Sequence, residues 1–391
     1  MRFTGFTDEW KEHAIRDIAK VEKGNGISKD QLSDKGEECI LYGELYTKYK
    51  SEIIDEVFSK TGIDSTKLTK SQFNDVLIPC SGETAEDIAT ARCVRKDGIL
   101  LGGDLNIIRF DKQDGAFMSY QLNGKRKYDI ARVAQGVSVV HLYPDHLKSV
   151  KVYIPQLEEQ QKVVALLSRI DERITTQNKI IDNLQSLIKG LIQHLIRIGL
   201  EKGTWHNVML SEVLQERNEL NKEYYPVHSV SVSVGIVNQI EYLGRSFAAK
   251  DTAHYHVVRS GDIVYTKSPT GNQPYGIIKQ SFCQNPVAVS PLYGVYDPIS
   301  FEIGNILHYY FLNPLNTNNY LLPLIQKGAK NTINITNRRF LENSIPLPIS
   351  NDEIVSVSKT LSSLSSKIEL ENSTLDSLLM QRRYLLNQLF I

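Results

Sequence analysis

The pattern of apolar positions is clearest between Leu157 and Ile198, where apolar residues recur in alternating steps of four and three. This seam consists of Val163, Leu167, Ile170, Ile174, Ile181, Leu184, Ile188, Leu191, Leu195 and Ile198. A repeat of this length is typical of a coiled-coil helix and not of a short helix inside a compact domain. Pro155 before the segment and Gly199 after it predict where the helix begins and ends.

The end of the chain carries a second seam of the same kind. Its apolar positions are Ile354, Val357, Leu361, Leu364, Ile368, Leu375, Leu378, Leu385 and Leu389. Ser350, followed by Glu353 three residues later, predicts a capping box at the start of this helix. Glu371 and Arg382 interrupt the seam with charged side chains.

A constant offset of 194 positions relates the two seams, which indicates an internal duplication. Apolar pairs share this offset from Ile170 and Leu364 through to Leu191 and Leu385. The polar residue Gln177 in the first seam falls on Glu371 in the second by the same offset. Two unrelated heptad runs have no reason to share an interruption.

The segments that precede the helices repeat as well. WKEHAIRDI, beginning at Trp10, corresponds to WHNVMLSEV at Trp205, and DVLIPCS at Asp75 corresponds to DIVYTKS at Asp262. VYIP, ending at Pro155, corresponds to IPLP, ending at Pro348. The chain is therefore predicted to alternate globular domains at 1–154 and 204–347 with helical regions at 155–203 and 348–391.

Each predicted domain mixes short apolar strands with turn signals, whereas helical patterns are sparser. Strands are expected at 76–78, 99–101, 106–110, 137–142, 227–237, 263–266 and 287–289, and helices at 51–59 and 301–312. We therefore predict an α+β fold with two mixed, strand-rich domains separated by two long helices. The simplest closed arrangement packs these helices as an antiparallel coiled coil, with pseudo-two-fold symmetry.

The shared polar interruption carries a further prediction about this coiled coil. Gln177 and Glu371 are each the midpoint of their helix, so overlapped antiparallel helices place them side by side. A hydrogen bond between them would fix the register, which is a role of polar residues in such seams. The alternative is that both side chains turn toward solvent.

Composition excludes several classes of protein. The 45 basic and 45 acidic residues give zero net charge, which argues weakly against a nucleic-acid binder unless basic surfaces are balanced elsewhere. No run of 18 apolar residues and no signal peptide are visible, so a cytoplasmic protein that does not enter membranes is expected. Four irregularly spaced cysteines predict buried, reduced thiols, and His254 with His256 lacks a third ligand for a metal.

The sequence offers no recognisable catalytic motif. Asn285-Pro286-Val287 and Asn313-Pro314-Leu315 do not fit the Asn-Pro-Pro-aromatic motif of a methyltransferase, and no Walker loop is present. Glu9-Trp10-Lys11 lacks the upstream acid that a nuclease site needs, and His141 and His146 lack an associated nucleophile. We therefore expect a non-catalytic protein. Two similar but unlike domains on a stiff support suit duplex DNA with two different half-sites.

This layout resembles the specificity subunit of type I restriction-modification systems. The resemblance covers essentially the whole chain and rests on the Trp10 and Trp205 segments, on the Asp75 and Asp262 segments, on IPQLEEQQKV at 154–163 and on KGLIQHL at 189–195. The second helix departs from the pattern, because ISNDE at 349–353 lacks the double-Glu, double-Gln run. This difference leaves open how closely the partner contacts of the two helices match.

The resemblance implies a set of partners. Each domain would read one half of a split, asymmetric sequence in double-stranded DNA. The helices would set the spacing and dock two methyltransferase subunits, and restriction and translocation subunits would join them. The chain itself would bind no cofactor or metal, whereas its partners would use S-adenosylmethionine, ATP and Mg.

Candidate contact residues follow from residue chemistry. Basic and amide side chains in loops are candidates for DNA contact: Lys23, Asn25, Lys29, Lys125, Arg126, Lys127, Lys267, Ser268, Thr270, Asn272, Gln273, Lys330, Asn331, Arg338 and Arg339. Apolar helix positions outside the seams are candidates for a partner interface: Val164, Leu166, Ile180, Leu187 and Ile192. The alternative is that these apolar residues pack on the chain's own domains.

Two other functions remain open from the sequence. A coiled-coil protein scaffold without DNA readout would explain the neutral charge. The equivalent subunit of a related system, in which methylation and cleavage share one partner polypeptide, would share the layout. Neither the DNA sequence that each domain recognises nor the exact spacer length follows from the residues.

Overall fold

The structure is a computed structural model, which describes residues 2–136, 139–267, 270–327 and 333–390. The chain forms two compact units. The first comprises Met1–Asn178 together with Ser373–Ile391, and the second comprises Lys179–Asn372. The first unit is therefore discontinuous in sequence and is completed by the C-terminal segment.

The globular part of the first unit begins with the Trp10 segment and ends where the first long helix starts. Its strands are β1 (Lys11–Ala14), β2 (Ala19–Lys23), β3 (Leu32–Ser33), β4 (Glu37–Ile40), β5 (Ile53–Ile54), β6 (Ser59–Thr61), β7 (Asp75–Pro79), β8 (Ser81–Gly82), β9 (Arg92–Val94), β10 (Leu100–Leu101), β11 (Leu105–Phe110), β12 (Val140–His141) and β13 (Lys151–Ile154). Its helices are α1 (Glu44–Thr47), α2 (Ala85–Ile88), α3 (Gly115–Asn123), α4 (Lys127–Val133) and α5 (Pro144–Lys148).

The long helix α6 (Leu157–Lys202) leads into the second globular part. Its strands are β14 (Trp205–Met209), β15 (Leu214–Glu216), β16 (His228–Ser231), β17 (Gly235–Asn238), β18 (His256–Val258), β19 (Ile263–Tyr265), β20 (Ile278–Gln280), β21 (Val287–Val289), β22 (Gly294–Pro298), β23 (Gln326–Lys327), β24 (Ile333–Asn334) and β25 (Ser344–Pro348). Its helices are α7 (Leu210–Val213), α8 (Gln239–Leu243), α9 (Phe301–Phe311), α10 (Pro314–Leu321) and α11 (Asn337–Phe340), and the long helix α12 (Asn351–Leu389) follows.

The strand order confirms the duplication that the sequence predicts. The main sheet of the first unit has the order β2-β11-β7-β9-β5, and that of the second has the order β15-β22-β19-β20. The neighbours shared by both sheets pair antiparallel in each unit. In addition, β1 pairs with β13 as β14 pairs with β25, so the Trp segment of each unit lies beside the strand that leads into a long helix.

The units differ in what is added to this shared sheet. The first adds β3, β4, β6 and β10, in which β10 pairs parallel with β4. The second adds the hairpin of β16 and β17, together with the pair of β18 and β21. These additions account for the weak sequence similarity between the middle parts of the two domains.

The apolar seams of the long helices pack inside each unit. In the first unit, Val163 and Leu167 of α6 share a core with Leu385 and Phe390 near the end of α12. In the second unit, Ile188 and Ile192 of α6 share a core with Val357 and Leu361 near the start of α12. Within each unit the two helices therefore run antiparallel, as predicted.

Helix α6 does not end at Gly199, which corrects the predicted boundary. It continues to Lys202, and Gly203, with a φ of 72°, follows it in the left-handed conformation that favours glycine. A Cβ on Gly199 would lie 2.0 Å from the indole ring of Trp205. Gly199 is thus required for the close approach of Trp205 and not for helix termination.

The segments at 51–59, 301–312 and 137–142 follow their predicted structure to different degrees. Residues 51–59 do not form the expected helix, because Ile53 and Ile54 form β5 and pair parallel with β9. The predicted helix at 301–312 is confirmed as α9. Of the predicted strand at 137–142, residues 137 and 138 lie outside the described residues and β12 covers Val140–His141.

Candidate nucleic-acid interface

A buried aspartate at the start of the equivalent strands β7 and β19 pairs with an arginine in each unit, although Arg109 lies on β11 and Arg217 follows β15. Arg109 on β11 donates from Nε to Oδ1 of Asp75 at 3.1 Å, and Arg217 donates from Nε and Nη2 to Asp262 at 2.8 and 2.9 Å. Each carboxylate also accepts from a backbone N–H three residues earlier, that of Gln72 or of Arg259, at 2.8 Å. The repeated aspartate is therefore part of the framework that fixes the start of this strand.

Electrostatics at this pair follow from its burial. Desolvation raises the pKa of Asp75 and of Asp262, while hydrogen bonds from the paired arginines oppose the rise. A charge that is held in this way has little freedom to contact a ligand. The candidate contact residues lie beyond this strand, where β7 leads into β8 and where β19 leads into the loop after Tyr265.

In the first unit, this edge is formed by the end of β2 and by the segment after β12. His141 on β12 lies opposite Ser81 on β8. Tyr143 follows β12, and the Nζ atom of Lys23 lies 5.7 Å from the centroid of its ring. Both side chains are exposed. The structure thus places one predicted DNA-contact residue, Lys23, beside an aromatic residue that the sequence pattern did not single out.

The loop after Lys23 is held by its own side chains. The Nδ2 atom of Asn25 donates to the carbonyl of Lys67 at 2.9 Å, and Oδ1 accepts from the backbone and hydroxyl of Thr69 at 2.8 and 3.0 Å. Lys29 remains exposed. Asn25 therefore shapes the loop, whereas Lys23 and Lys29 carry its positive charge at the surface.

The basic run at 125–127 lies beside the helices. A Cβ on Gly124 would lie 3.7 Å from the carbonyl oxygen of Leu386 on α12. Arg126 pairs with Asp129 at 3.1 Å and lies 4.9 Å from the ring of Tyr153 on β13. Lys125 is exposed and Lys127 is half-buried. The run at 125–127 therefore lies near α12, whereas Lys23 lies beside Tyr143.

In the second unit, Lys267 follows β19 and is half-buried. Burial lowers the pKa of its ammonium, and the nearby carboxylate of Glu216 opposes this effect. Thr270 and Gln273 bond each other through their backbones at 3.1 and 2.9 Å and form a turn, and Gln273 is buried. Asn272 is exposed at the tip of this turn, where its carbonyl accepts from Asn318 at 3.3 Å.

Helix α11 adds two arginines to the same region. Nδ2 of Asn337 donates to Glu216 at 2.7 Å, so α11 and Lys267 converge on one carboxylate. Arg339 is engaged with the carbonyl of Leu324 at 2.8 Å, whereas Arg338 is exposed. The remaining candidates, Ser268, Lys330 and Asn331, lie outside the described residues.

The helix positions proposed for a partner interface divide into two groups. Val164 is buried in the core of the first unit and Ile192, with 0% exposure, in that of the second, which corrects their assignment to a partner surface. Leu166 is half-buried against the first core. Ile180 and Leu187 are exposed, Leu187 by 52%, and they remain candidates.

The predicted hydrogen bond between Gln177 and Glu371 would join the two units, since Gln177 belongs to the first and Glu371 to the second. It stays a prediction. Gln177 is buried within the first unit. Glu371 lies in the second, where Lys367 pairs with it at 2.5 Å. A polar residue that is buried in a seam retains the chemistry that register control needs.

The cysteines and possible metal ligands contribute no further site. Cys39, Cys80 and Cys93 are buried and Cys283 is half-buried, and all are free thiols. Burial raises the pKa of Cys39 to about 11 and those of Cys80 and Cys93 to about 12, so these thiols stay protonated. Over the described ranges, no cluster of three metal-type ligands occurs and no helix is long and apolar enough to cross a membrane.

Comparison with known proteins shows what this chain is similar to. Residues 7–186 match the family model described as Type I restriction modification DNA specificity domain. The specificity subunit of the type I restriction enzyme MjaVIII from Methanocaldococcus jannaschii is 27% identical over 194 residues, which cover 49% of this chain and 43% of that protein. A putative type I specificity subunit from Haemophilus influenzae is 28% identical over 179 residues, which cover 45% of this chain and 43% of that protein.

Solved structures share the fold over the whole chain. The specificity subunit of a type I system from M. genitalium aligns with 100% of this chain and 97% of its own, with a TM-score of 0.62 at 14% identity. A chain from a study of complex assembly in a type I system aligns over 98% of each chain, with a TM-score of 0.51 at 13% identity. At these identities the likeness concerns the fold alone.

The matched stretches span less than half of the length of either curated relative. The first half of this chain nevertheless matches the model of the type I DNA specificity domain. The second unit repeats the fold of the first, and the whole chain is similar in fold to a solved type I specificity subunit.

Proposed function

We propose that this chain is the non-catalytic subunit that gives a type I restriction-modification complex its DNA sequence specificity. Each unit would read one half of a bipartite, asymmetric site in double-stranded DNA. The long helices would set the spacing between the half-sites and dock two methyltransferase subunits. Restriction and translocation subunits would complete the complex, and the partners would bring S-adenosylmethionine, ATP and Mg.

One observation carries this proposal: the chain contains the same framework twice with different surfaces. The Asp–Arg pairs at Asp75 and Asp262 and the shared strand order make the two units equivalent supports. The segments that follow the equivalent strands differ in sequence and in which of their side chains are hydrogen-bonded. Two equivalent supports with unlike surfaces are what a target with two unlike half-sites requires.

The zero net charge does not oppose this function, because positive charge is concentrated locally. Exposed Lys23 and Lys29 lie on one loop of the first unit, and Lys267 and exposed Arg338 lie near one edge of the second. Acidic residues elsewhere balance the total. A partner subunit that also contacts the DNA backbone would reduce the charge that this chain must supply.

Support for partner docking comes from the helix surfaces. Ile180 and Leu187 on α6 are exposed, as are Leu379, Met380 and Tyr384 on α12. Larger exposed apolar patches mark surfaces that bind other proteins. These five residues are the candidates for methyltransferase contacts.

The test uses the chain copurified with a methyltransferase subunit from the same host. Methylome sequencing of a host that carries the system defines the bipartite site, and electrophoretic shift titrations then compare that site with duplexes in which one half is scrambled. We expect binding to weaken when either half is scrambled, since each unit contributes its own half-site. Equal affinity for all duplexes would instead support a scaffold without DNA readout.

The genomic neighbourhood distinguishes a type I system from the remaining alternative, a related system in which methylation and cleavage share one partner polypeptide. A separate methyltransferase reading frame beside this one supports the type I assignment. A single frame that fuses methyltransferase and nuclease would assign the chain to the related class of systems.

A further inference from the structure

The surface around Tyr143 in the first unit has no role in the framework. Lys23 at the end of β2, His141 on β12, and Tyr143 and His146 at α5 come together there, and we call these four residues the tyrosine patch. The ring of His141 stacks on that of Tyr143 at 6.0 Å, and the ring of His146 meets it edge-on at 5.4 Å. Lys23 completes the patch at 5.7 Å from the same ring.

Neighbouring groups fix the position of Tyr143. The backbone N–H of Leu142 donates to the carbonyl of Cys80 at 2.7 Å, and the side chain of Asn106 donates to the carbonyl of Leu142 at 2.9 Å. Pro144 follows as the first residue of α5 and limits the backbone on that side. Tyr143 is nevertheless 45% exposed, so a positioned aromatic ring with a hydroxyl faces solvent.

The equivalent region of the second unit is also basic. Helices α5 and α11 occupy equivalent places in the two units, and each buries one apolar residue in its unit's core, Leu147 in α5 and Phe340 in α11. Arg338 is part of α11, and Lys267 shares the carboxylate of Glu216 with the first residue of that helix; both basic residues were selected from the sequence as DNA-contact candidates. Positive charge thus recurs at one place of the repeated fold, although β2 supplies it in one unit and α11 with the end of β19 in the other.

We propose that the tyrosine patch contacts the sugar-phosphate backbone of the DNA bound by the first unit. The Lys23 ammonium neutralises one phosphate, and the Tyr143 hydroxyl donates a hydrogen bond to a phosphate oxygen. Both groups position the domain on the duplex, because phosphate contacts fix register without reading sequence. This inference rests on the proposed DNA-reading function and adds the residues through which the first domain is oriented.

The chemistry favours a phosphate over a base edge. Lysine and tyrosine both donate to phosphate oxygens, whereas specific base recognition mostly uses arginine or paired amide groups. The amide of Asn25 is already engaged with Lys67 and Thr69, and that of Asn106 with the carbonyl of Leu142. A patch that presents an ammonium and a hydroxyl suits the backbone.

The experiment measures DNA binding by the complete methyltransferase complex as a function of salt. Lys23→Ala should lower the slope of log affinity against log salt by about 0.9, the value for one lost phosphate contact in B-DNA. Tyr143→Phe should weaken binding about tenfold, since it removes a hydrogen bond to a charged acceptor. Both losses should be the same for the cognate site and for a duplex with its first half scrambled.

The matched control is Lys20→Ala, which removes an exposed lysine from the opposite face of the same strand and should leave the salt slope unchanged. Circular dichroism melting curves establish that each variant is folded. If the wild-type complex binds selectively but Tyr143→Phe and Lys23→Ala bind as tightly with an unchanged slope, the tyrosine patch is not a DNA contact. If the wild-type complex shows no selectivity, the proposed function itself fails, which is a separate outcome.

Discussion

At the scale of single residues, the two units have diverged most in their buried charges. In the first unit, Arg382 on α12 donates from Nε to Asp171 on α6 at 2.6 Å and also bonds Glu52, and Tyr120 donates to Asp171 at 2.6 Å. In the second, the offset of 194 places Ser365 at the position of Asp171, so that a neutral hydroxyl stands where the first unit has a carboxylate. Arg382 interrupts the apolar heptad seam because its side chain pairs with two carboxylates, those of Asp171 and Glu52.

Replacing Arg382 with Met should destabilise the first unit. The change removes the ion partner of the buried Asp171 carboxylate, whereas Glu52 keeps Arg92 at 3.9 Å. The expected loss of unfolding free energy is about 3–5 kcal/mol. Burial already raises the pKa of Asp171, and removal of Arg382 raises it further, so the loss should shrink as the pH falls and Asp171 becomes protonated. Urea unfolding of this variant at neutral and acidic pH measures both effects.

The neighbouring Arg383 provides the control for this variant, because it is exposed on the same helix turn. Arg383→Met should leave the urea midpoint nearly unchanged. An equal loss in both variants would mean that helix propensity or net charge, and not the ion pair, determines the effect.

The second unit contains a buried lysine in an unfavourable place. Lys279 on β20 is 3% exposed, and its charged neighbour is Lys189, whose like charge adds to desolvation and lowers the pKa of Lys279 to about 8. The unfolded chain, in which this lysine has its ordinary pKa of 10.5, binds more protons between these two values. The stability of the second unit should therefore rise with pH from about 8 to about 10, and the penalty is complete below pH 8.

Lys279→Met should remove this dependence and stabilise the second unit below pH 8. The decrease in the pKa of Lys279 from 10.5 to about 8 corresponds to about 3 kcal/mol of unfolding free energy. Denaturant titrations at pH 7 and pH 10 compare the variant with wild type, and Lys250→Met, at an exposed position, is the control. A variant that keeps the wild-type rise in stability between pH 8 and 10 would show that another group titrates.

At the scale of elements, the long helices were predictable because the heptad repeat is local. The duplication was predictable as well, since the offset of 194 and the repeated Trp and Asp segments are visible in the sequence. The sheet order was not predictable, because it depends on pairings such as β5 with β9 and β10 with β4, which join distant short segments. The error at 51–59 has this cause, since a neighbouring strand determines the conformation of Ile53 and Ile54.

The two glycines of α6 test the packing of this helix directly. Gly199→Ala places a methyl group 2.0 Å from the Trp205 ring and should destabilise the second unit by about 1–3 kcal/mol. Gly190→Ala meets nothing within 4 Å and should stabilise the helix by about 1 kcal/mol, the difference in helix propensity.

Tryptophan fluorescence can follow each unit separately, because Trp10 and Trp205 are the two tryptophans of the chain. A Trp10→Phe background leaves Trp205 as the reporter of the second unit. In that background Gly199→Ala should shift the emission of Trp205 as well as the midpoint of unfolding. Destabilisation by both glycine variants would instead assign the effect to helix α6 itself and not to contact with Trp205.

The choice of candidate contact residues from the sequence has a comparable limit. Lys23 and Arg338 could be selected because basic residues in polar loops are visible in a sequence, and both side chains are exposed. Asn25 and Arg339 were selected by the same rule, yet the structure shows that their side chains hold neighbouring backbone. Tyr143 was missed, since a tyrosine before a proline carries no basic signal and gains its context only when β2 and β12 come together.

At the scale of the whole molecule, the proposed role of α6 and α12 as a spacer predicts how the DNA site responds to their length. Inserting four residues into each helix at matched positions adds about 6 Å. With about 3.4 Å per base pair, the unread gap between half-sites should grow by one or two base pairs. Methylome sequencing of a host with the lengthened chain reads this gap, and an unchanged gap would mean that the helices do not set the spacing.

The discontinuity of the first unit has a consequence for synthesis on the ribosome. Its globular part and the first half of α6 emerge early, yet Leu385, Leu389 and Phe390, which pack in the same core, are translated only after the entire second unit. At about 5–20 residues per second, that interval lasts about 10–40 s. During this time the nascent chain exposes part of an unfinished apolar core, which makes it a natural client for chaperones or for early capture by a partner subunit.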